Sequence, residues 1–437
     1  MKIGKLKRFF IIIGVFAAVL LLIFLIYQLA FNPYRGTTDK YVEPLALEDE
    51  LTEKQVLKDM DYTIKMLRSH HPAWLEKDNA KVQAVESEYK NQRKQVLNDE
   101  TDSYTTLDEW RIISKITNKL NDGHTGCLYK SDNNRYIEDV TQVEEYGVPT
   151  QINGTSTDAL LDDFRELFSY EREEYLKELF KDVIQNEAYL KLLKVDTNEG
   201  VTFTFDTETG RKEYHYNFVP YEQIKGIENS EDEDWVYYDI DVNNNMAVFT
   251  LKECNYDEHY KNTLDSFFKE VNDKDIDNIV VDLRGNGGGN SYVADEFLSY
   301  LDIDGYNTWA CAIRYGAYLK KYDASYTKIN KKPDAFSGNL YVLTDLNTYS
   351  AAMDFAMYVT DNHLGKIVGE ASGNMPDSYG DVLTFVIPNS KLTLRASFKK
   401  WYRIDETKAG QPIEPDVKCD PSDALNVTRE LICNSKL

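Results

Sequence analysis

Two glycine-rich or serine-bearing turns and one histidine turn hold the residue types that could do chemistry. The stretch Ile279–Asn290 reads IVVDLRGNGGGN. An apolar β-branched run ends in Asp282, Leu283 and Arg284 and breaks into a loop carrying Gly285, Gly287, Gly288 and Gly289. Glycine permits positive φ and lets another group approach the main chain closely, so such a loop can present bare N–H groups at a fixed place. Further on, YVLT (Tyr341–Thr344) reads as a buried strand, and NTYS (Asn347–Ser350) turns into the apolar helix SAAMDFAMYV. A serine at a strand–turn–helix junction facing a glycine loop has the geometry of a nucleophile beside an oxyanion hole. The plainer role for Ser350 is a helix cap, but Thr348 is placed to cap instead. Among six histidines, His124 stands out because Asp122-Gly123 makes a sharp turn before it and aims its ring away from a helix end.

Those turns need strands and helices to hold them, and the pattern supplies both. Apolar residues recur at helical spacing in LTEKQVLKDMDYTIKMLRSHHP and LDEWRIISKITNKL, with Pro72 closing the first helix. Residues 48–130 are expected to form a helical domain. Residues 131–234 read as an α+β module: the turn Asn153-Gly154, a helical acidic stretch from Asp158 to Leu193, then the strands VTFTF and KEYHYNFV. From 235 to 437, strand and helix signals alternate (MAVFTL, Tyr260–Val271, NIVVDL, SYVADEFLSYL, LYVLT, the helix after Ser350, KIVGEA, VLTFVIP), which argues for α/β layers with parallel pairing.

The N-terminus bears Lys2, Lys5, Lys7 and Arg8 (residues 1–8) before an apolar run over 9–31, followed by a polar linker over 32–47. That run is long enough to span a bilayer, and the basic flank predicts a cytoplasmic N-terminus with the remainder outside the cytoplasm. A cleaved secretory signal is the alternative, but its apolar region is shorter. The net charge of −24 argues against nucleic-acid partners. Five cysteines show no metal spacing; Cys419 and Cys433 could pair in an oxidising compartment. The glycine loop is no phosphate loop, lacking a following Gly-Lys-Ser/Thr, and Asn290 stands where a dinucleotide fingerprint needs its third glycine. Arg284 is expected to pin the loop through a carboxylate.

Taken together, DLRGNGGG, TYSAAMDFA followed by GKIVGEASG, the upstream DGHT and the late IEPDV resemble the tail-specific (C-terminal processing) serine peptidases of family S41, in their tricorn-like branch. The resemblance implies a crotonase/ClpP-like β-α core, with a diverged PDZ-like module around Ile152-Asn153-Gly154. It implies Ser350 as nucleophile, with Gly287 or Gly288 and the N–H of Ala351 forming the oxyanion hole. The larger branch uses a lysine base, which is missing from EASGNMP (370–376), and Lys366 does not match its position. The tricorn-like branch uses histidine, and His124 fits that motif. It takes the orienting acid from late in the chain, where Asp405 and Glu406 are the candidates; Asp122 is a third. The activity implied is a membrane-anchored, extracytoplasmic serine endopeptidase acting on peptides or proteins without metal or organic cofactor. The alternative is an inactive peptidase-like ectodomain that binds peptides or small ligands. A hydratase or acyl transferase on the related core does not require a serine at this junction.

Overall fold

The computed structural model describes residues 2–101, 103–226 and 234–434, with side chains from Arg8 onward. The expectations placed on 227–233, at the end of the middle segment, and on 435–437 lie outside the described residues. Helix α1 (Lys2–Ile26) runs on through one wider turn to Phe31. Its stretch Arg8–Phe31 is 24 residues long, with mean hydropathy 3.4 and none of its most apolar window buried. At 1.5 Å per residue it reaches about 36 Å, more than the hydrocarbon thickness of a bilayer.

Three helices follow: α2 (Glu53–His70), α3 (Ala80–Asn98) and α4 (Thr106–Asn118). Local signals set their starts. Thr52 with Gln55, and Thr105 with Asp108, form reciprocal capping boxes on α2 and α4. Val56, Met60, Ile64 and Leu67 recur at three- and four-residue intervals and bury one face of α2. A turn leads from α4 to the short strand β1 (Gly126–Leu128).

The middle segment forms strands β2 (Gln151–Ile152) and β3 (Thr155–Ser156), helices α5 (Thr157–Leu167), α6 (Leu176–Val183) and α7 (Glu187–Leu192), and strands β4 (Val201–Thr207) and β5 (Gly210–Tyr216). Its sheet has the order β3-β2-β4-β5. The positive φ of Asn153 (46°) and Gly154 (77°) makes the expected tight turn between β2 and β3. The helical stretch expected from Asp158 to Leu193 is broken at Phe168–Arg172 and again at Ile184–Asn186. This segment and α2–α4 share one apolar core, with Trp110, Phe164, Phe180 and Phe203 all fully buried in it.

The last part is layered. Strands β6 (Val236–Asp241), β7 (Met246–Leu251) and β8 (Asn278–Asp282) are joined through α8 (Glu258–Asp273), and helix α9 (Tyr292–Leu298) follows. A hairpin of β9 (Ala310–Tyr315) and β10 (Tyr318–Tyr322) precedes β11 (Asn339–Thr344), α10 (Ala351–Asp361) and β12 (Lys366–Gly369). A long hairpin of β13 (Tyr379–Val386) and β14 (Thr393–Tyr402), then β15 (Val417–Lys418) and α11 (Ala424–Asn434), complete the chain. The main sheet has the order β6-β7-β8-β11-β12-β15, antiparallel at its first pair and parallel thereafter. Strict alternation divides its side chains: Phe249, Ile279, Val281 and Val342 pack under α8–α10, while Val248, Val280, Tyr341 and Leu343 face α11.

A second sheet, β10-β9-β14-β13, also takes β1 on β14, pairing Gly126 with Arg395 and Leu128 with Thr393. That pairing fastens the residues just after His124 to the C-terminal part. The β9–β10 turn meets the end of α1, where Ala317 N–H donates to Ala30 O at 3.0 Å.

Candidate active site

Parallel pairing puts the ends of β8 and β11 side by side, Asp282 opposite Leu343. The two turns that leave them are therefore neighbours by topology. After β11 the chain turns through Asp345–Tyr349 to Ser350. Thr348 does not cap α10 as expected. Its hydroxyl instead donates to Leu283 O (3.0 Å) and Asp345 Oδ1 (2.9 Å), fastening the turn to the end of β8. Ser350 itself occupies the cap position and makes no side-chain cap bond. Its φ of 51° and ψ of −123° lie outside the wells open to L-residues. Such strain costs of order 1–3 kcal/mol and persists only where the surroundings impose it. Here Asn374 Oδ1 accepts the Ser350 amide at 2.9 Å, and Asn286 O accepts that of Tyr349 at 2.8 Å.

The glycine loop is held from below. Arg284 grips Asp282 through two bonds, Nε to Oδ1 at 2.8 Å and Nη2 to Oδ2 at 2.6 Å, as its spacing suggested. An account of the loop amides separates the glycines. Gly285 N–H donates to Asp345 Oδ2, and Gly288 N–H to Asn286 Oδ1 at 2.8 Å. Gly287 and Gly289 N–H make no hydrogen bond among the described residues, and both glycines line the cavity beside Ser350. Gly288 serves a different purpose. With φ at 99°, a Cβ there would stand 2.7 Å from Ser350 Cβ and 2.9 Å from Ala351 N. The loop approaches the serine turn as closely as a backbone without side chains allows. Of the two expected loop donors, then, the Gly287 amide is vacant and the Gly288 amide is occupied.

His124 arrives on the turn between α4 and β1. Asp122 shapes that turn: its Oδ1 accepts the His124 amide (2.9 Å) and its Oδ2 accepts Thr125 Oγ1 (2.6 Å). The same Oδ2 lies 3.0 Å from His71 Nε2. His71 Nδ1 accepts the Ala73 amide, so the proton sits on Nε2 and His71 donates to Asp122. His71, just past the end of α2, is fully buried and part of this cluster. These partners outweigh the cost of burial and hold the Asp122 carboxyl well below its usual range. His124 has 13% of its side chain exposed, and its Nδ1 is buried without a hydrogen-bond partner, 3.9 Å from Asp122 Oδ1. Burial, with the Arg395 guanidinium adding to it, pushes the His124 pKa down against the pull of Asp122 and Asp381. The ring is neutral near neutral pH, the form a general base requires.

Ser350, His124 and Gly287 line one cavity of roughly 660 Å³, along with Tyr349, Asp381 and Arg395. No hydrogen bond joins the serine and histidine side chains among the described residues. Apo sites often hold such pairs apart until substrate binds. The other expected acids lie elsewhere. The Asp405 carboxylate caps a short turn through Thr407 and meets Lys408 at 3.4 Å, and Glu406 is exposed; neither lines the cavity. Lys366 is exposed at the start of β12.

One residue that the sequence did not single out does reach the site. Glu171, from the break after α5, accepts Asn374 Nδ2 and the Met375 amide on Oε2, each at 2.7 Å. Its Oε1 is buried and unpartnered. Burial, with Asp122 close by, pushes its pKa up to about 7. Asp122, His124 and Glu171 bring one donor atom each within 4.8 Å of one another, a spacing at which three side chains could share a cation. Asp122 already accepts three hydrogen bonds, which makes proton handling the simpler use of the cluster. The five cysteines are all unbonded.

Residues 245–419 match the model of peptidase family S41. No curated protein matches the chain in sequence. Among solved structures, mature CPAF is similar at 12% identity and a TM-score of 0.65, the alignment covering 87% of this chain and 97% of that one. Its complex with lactacystin gives 11% identity and 0.64, covering 87% and 98%. A putative peptidase from Parabacteroides merdae gives 14% and 0.50, covering 87% and 97%. At such identities the likeness is one of fold.

Proposed function

We propose that this chain, whose residues 245–419 match peptidase family S41, is a histidine-based serine endopeptidase held at the membrane by α1. One observation carries the mechanism: a serine strained to φ 51°, with its hydroxyl free of cap bonds, shares a cavity with a buried neutral imidazole and a vacant loop amide. Ser350 Oγ attacks the scissile carbonyl as His124 takes its proton; the imidazolium then returns that proton to the leaving amine. The amides of Gly287 and Ala351 stabilise the oxyanion, each donor contributing roughly 3–4 kcal/mol. A histidine in place of the family's lysine, and the early position of that histidine, favour the tricorn-like branch.

The apolar Arg8–Phe31 helix, with basic residues on its N-terminal side, supports an uncleaved anchor and a catalytic part outside the cytoplasm. The substrates are peptides or proteins reaching that face. Ser350→Ala is expected to abolish peptide hydrolysis while leaving the thermal unfolding profile intact. Full activity in that variant would remove the assignment. Protease digestion of intact and opened cells, probed for the C-terminal part, checks the topology.

A further inference from the structure

The family resemblance implies an acid behind His124 from late in the chain, with Asp122 as a third candidate, and the cavity holds neither Asp405 nor Glu406. What His124 lacks can be stated atom by atom. To act as base through Nε2, the neutral ring must carry its proton on Nδ1, and that N–H needs an acceptor. Nδ1 is buried and has none. Asp122 is near, but its oxygens already accept the His124 amide, Thr125 Oγ1 and His71 Nε2, and Oδ1 stays at 3.9 Å. The Glu171 carboxylate presents the other buried, unpartnered atom of the cluster, Oε1. The residues that carry this acceptor and this donor belong to one cluster, in which Asp122, His124 and Glu171 each bring a ligand atom within 4.8 Å of the others.

Resting on the reading of Ser350 and His124 above, we propose that Glu171 is the carboxylate that orients His124 and balances its charge during the reaction, supplied by the middle segment and not by the C-terminal part. When Ser350 passes its proton to Nε2, the imidazolium keeps its Nδ1 proton and donates it as a hydrogen bond to Glu171 Oε1. A small movement of the ring or the carboxylate, or one bridging water, brings the two groups into hydrogen-bond reach. Collapse of the tetrahedral intermediate returns the Nε2 proton to the amine, and Glu171 is unchanged.

The same residue braces the nucleophile. Glu171 Oε2 fixes the Asn374 amide group, whose Oδ1 holds the strained Ser350 amide. Arg172, next in the chain, donates Nη1 to Ala371 O (2.9 Å) and Ser372 O (2.5 Å), clamping that same loop. Residues 171 and 172 therefore tie the serine turn to a segment that lies outside the α/β layers. Glu171 is a positioning residue on this account, and the break between α5 and α6 exists to deliver it. The other charged or titratable groups facing the cluster are Lys81, Tyr175, Tyr349, Tyr379, Asp381 and Arg395.

Glu171→Gln separates orientation from bracing. The glutamine oxygen keeps both accepted bonds, to Asn374 and Met375, while its NH₂ takes the place of Oε1. A donor there favours the His124 tautomer protonated on Nε2, which cannot serve as base. The full-length variant in detergent is expected to melt like the wild type, to lose roughly 10⁴-fold in kcat with KM little changed, and to gain nothing when the pH is raised, because the defect lies in the tautomer. Asn374→Ala, which removes the brace, serves as the comparison. A Glu171→Gln enzyme within about threefold of wild type at every pH, beside a crippled Asn374→Ala, would overturn the orienting role. Ser350→Ala distinguishes the two levels: if it keeps activity, the peptidase mechanism itself falls; if it is dead while Glu171→Gln is normal, only the assignment of Glu171 falls.

Discussion

Gly288→Ala tests whether the close approach of loop and serine turn is what makes the site work. The added Cβ would lie 2.7 Å from Ser350 Cβ, 2.7 Å from Tyr349 O and 2.9 Å from Ala351 N. Comfortable carbon contacts begin near 3.5 Å, so the two turns must separate by about 0.8 Å or more. The φ of 99° adds strain of order 1–3 kcal/mol for any residue with a side chain. The separation moves Ser350 and the Ala351 amide away from Gly287 N–H, and the proposed oxyanion hole opens. Misplacement by about 1 Å, or loss of one donor, each lower the rate by roughly 10²–10³-fold, a rise of about 2.7–4 kcal/mol in the barrier. Gly287→Ala is the matched control: its Cβ meets nothing within 4 Å and its φ is not in the left-handed region. We expect kcat/KM on a fluorogenic peptide to fall at least 10²-fold in Gly288→Ala, with a melting temperature lower by a few degrees. Gly287→Ala should melt normally and lose far less in kcat. Equal activities for the two variants would refute the reasoning, because the contact distances would then not govern the site.

Arg395→Gln removes a cation that helps keep His124 neutral, so the acidic limb of the kcat/KM profile should move to higher pH; an unmoved limb contradicts the electrostatics. Glu109 lies buried against Asp59, and its pKa is pushed up to about 9, by burial first. The unfolded chain releases that proton near pH 4.3, so between about pH 4 and 9 the unfolded state binds fewer protons and stability falls as pH rises. Glu109→Gln should therefore gain on the wild type in thermal scans at pH 8.5 relative to pH 6, by up to about 1.4 kcal/mol per pH unit; parallel curves would contradict this. Gly123→Ala would place its Cβ on the Tyr349 hydroxyl, and should slow hydrolysis by displacing the turn that carries His124.

The layered part of the fold was legible because its strands are short apolar runs bounded by turns, and alternation within them chooses the two faces of the sheet. The serine turn and glycine loop were legible for a related reason: four glycines within five residues make little sense except for close approach. Asn153-Gly154 likewise announced its turn. What local pattern could not reveal were contacts made across the chain. Thr348 looked like a cap, yet its hydroxyl found Leu283 O on the neighbouring strand end. Gly287 and Gly288 look alike in sequence, and only the positions of Asn286 Oδ1 and the Ser350 turn separate them. Nothing in the sequence around His71 signals that its ring turns inward to Asp122. Glu171 sits in an acidic helical stretch where one carboxylate resembles the next. Its one distinguishing signal was weak: the run FSYERE interrupts the apolar spacing of the helices on either side. The hairpin β9–β10 was also unread, its strands being half-exposed and tyrosine- and lysine-rich.

If Ser350 is a nucleophile activated by His124, a reagent that captures such serines covalently will find it. Full-length protein treated with a fluorophosphonate probe, digested and mapped by mass spectrometry should carry a single adduct on Ser350, formed much more slowly in His124→Ala. No adduct at Ser350, or one that forms at the same rate without His124, would contradict the account.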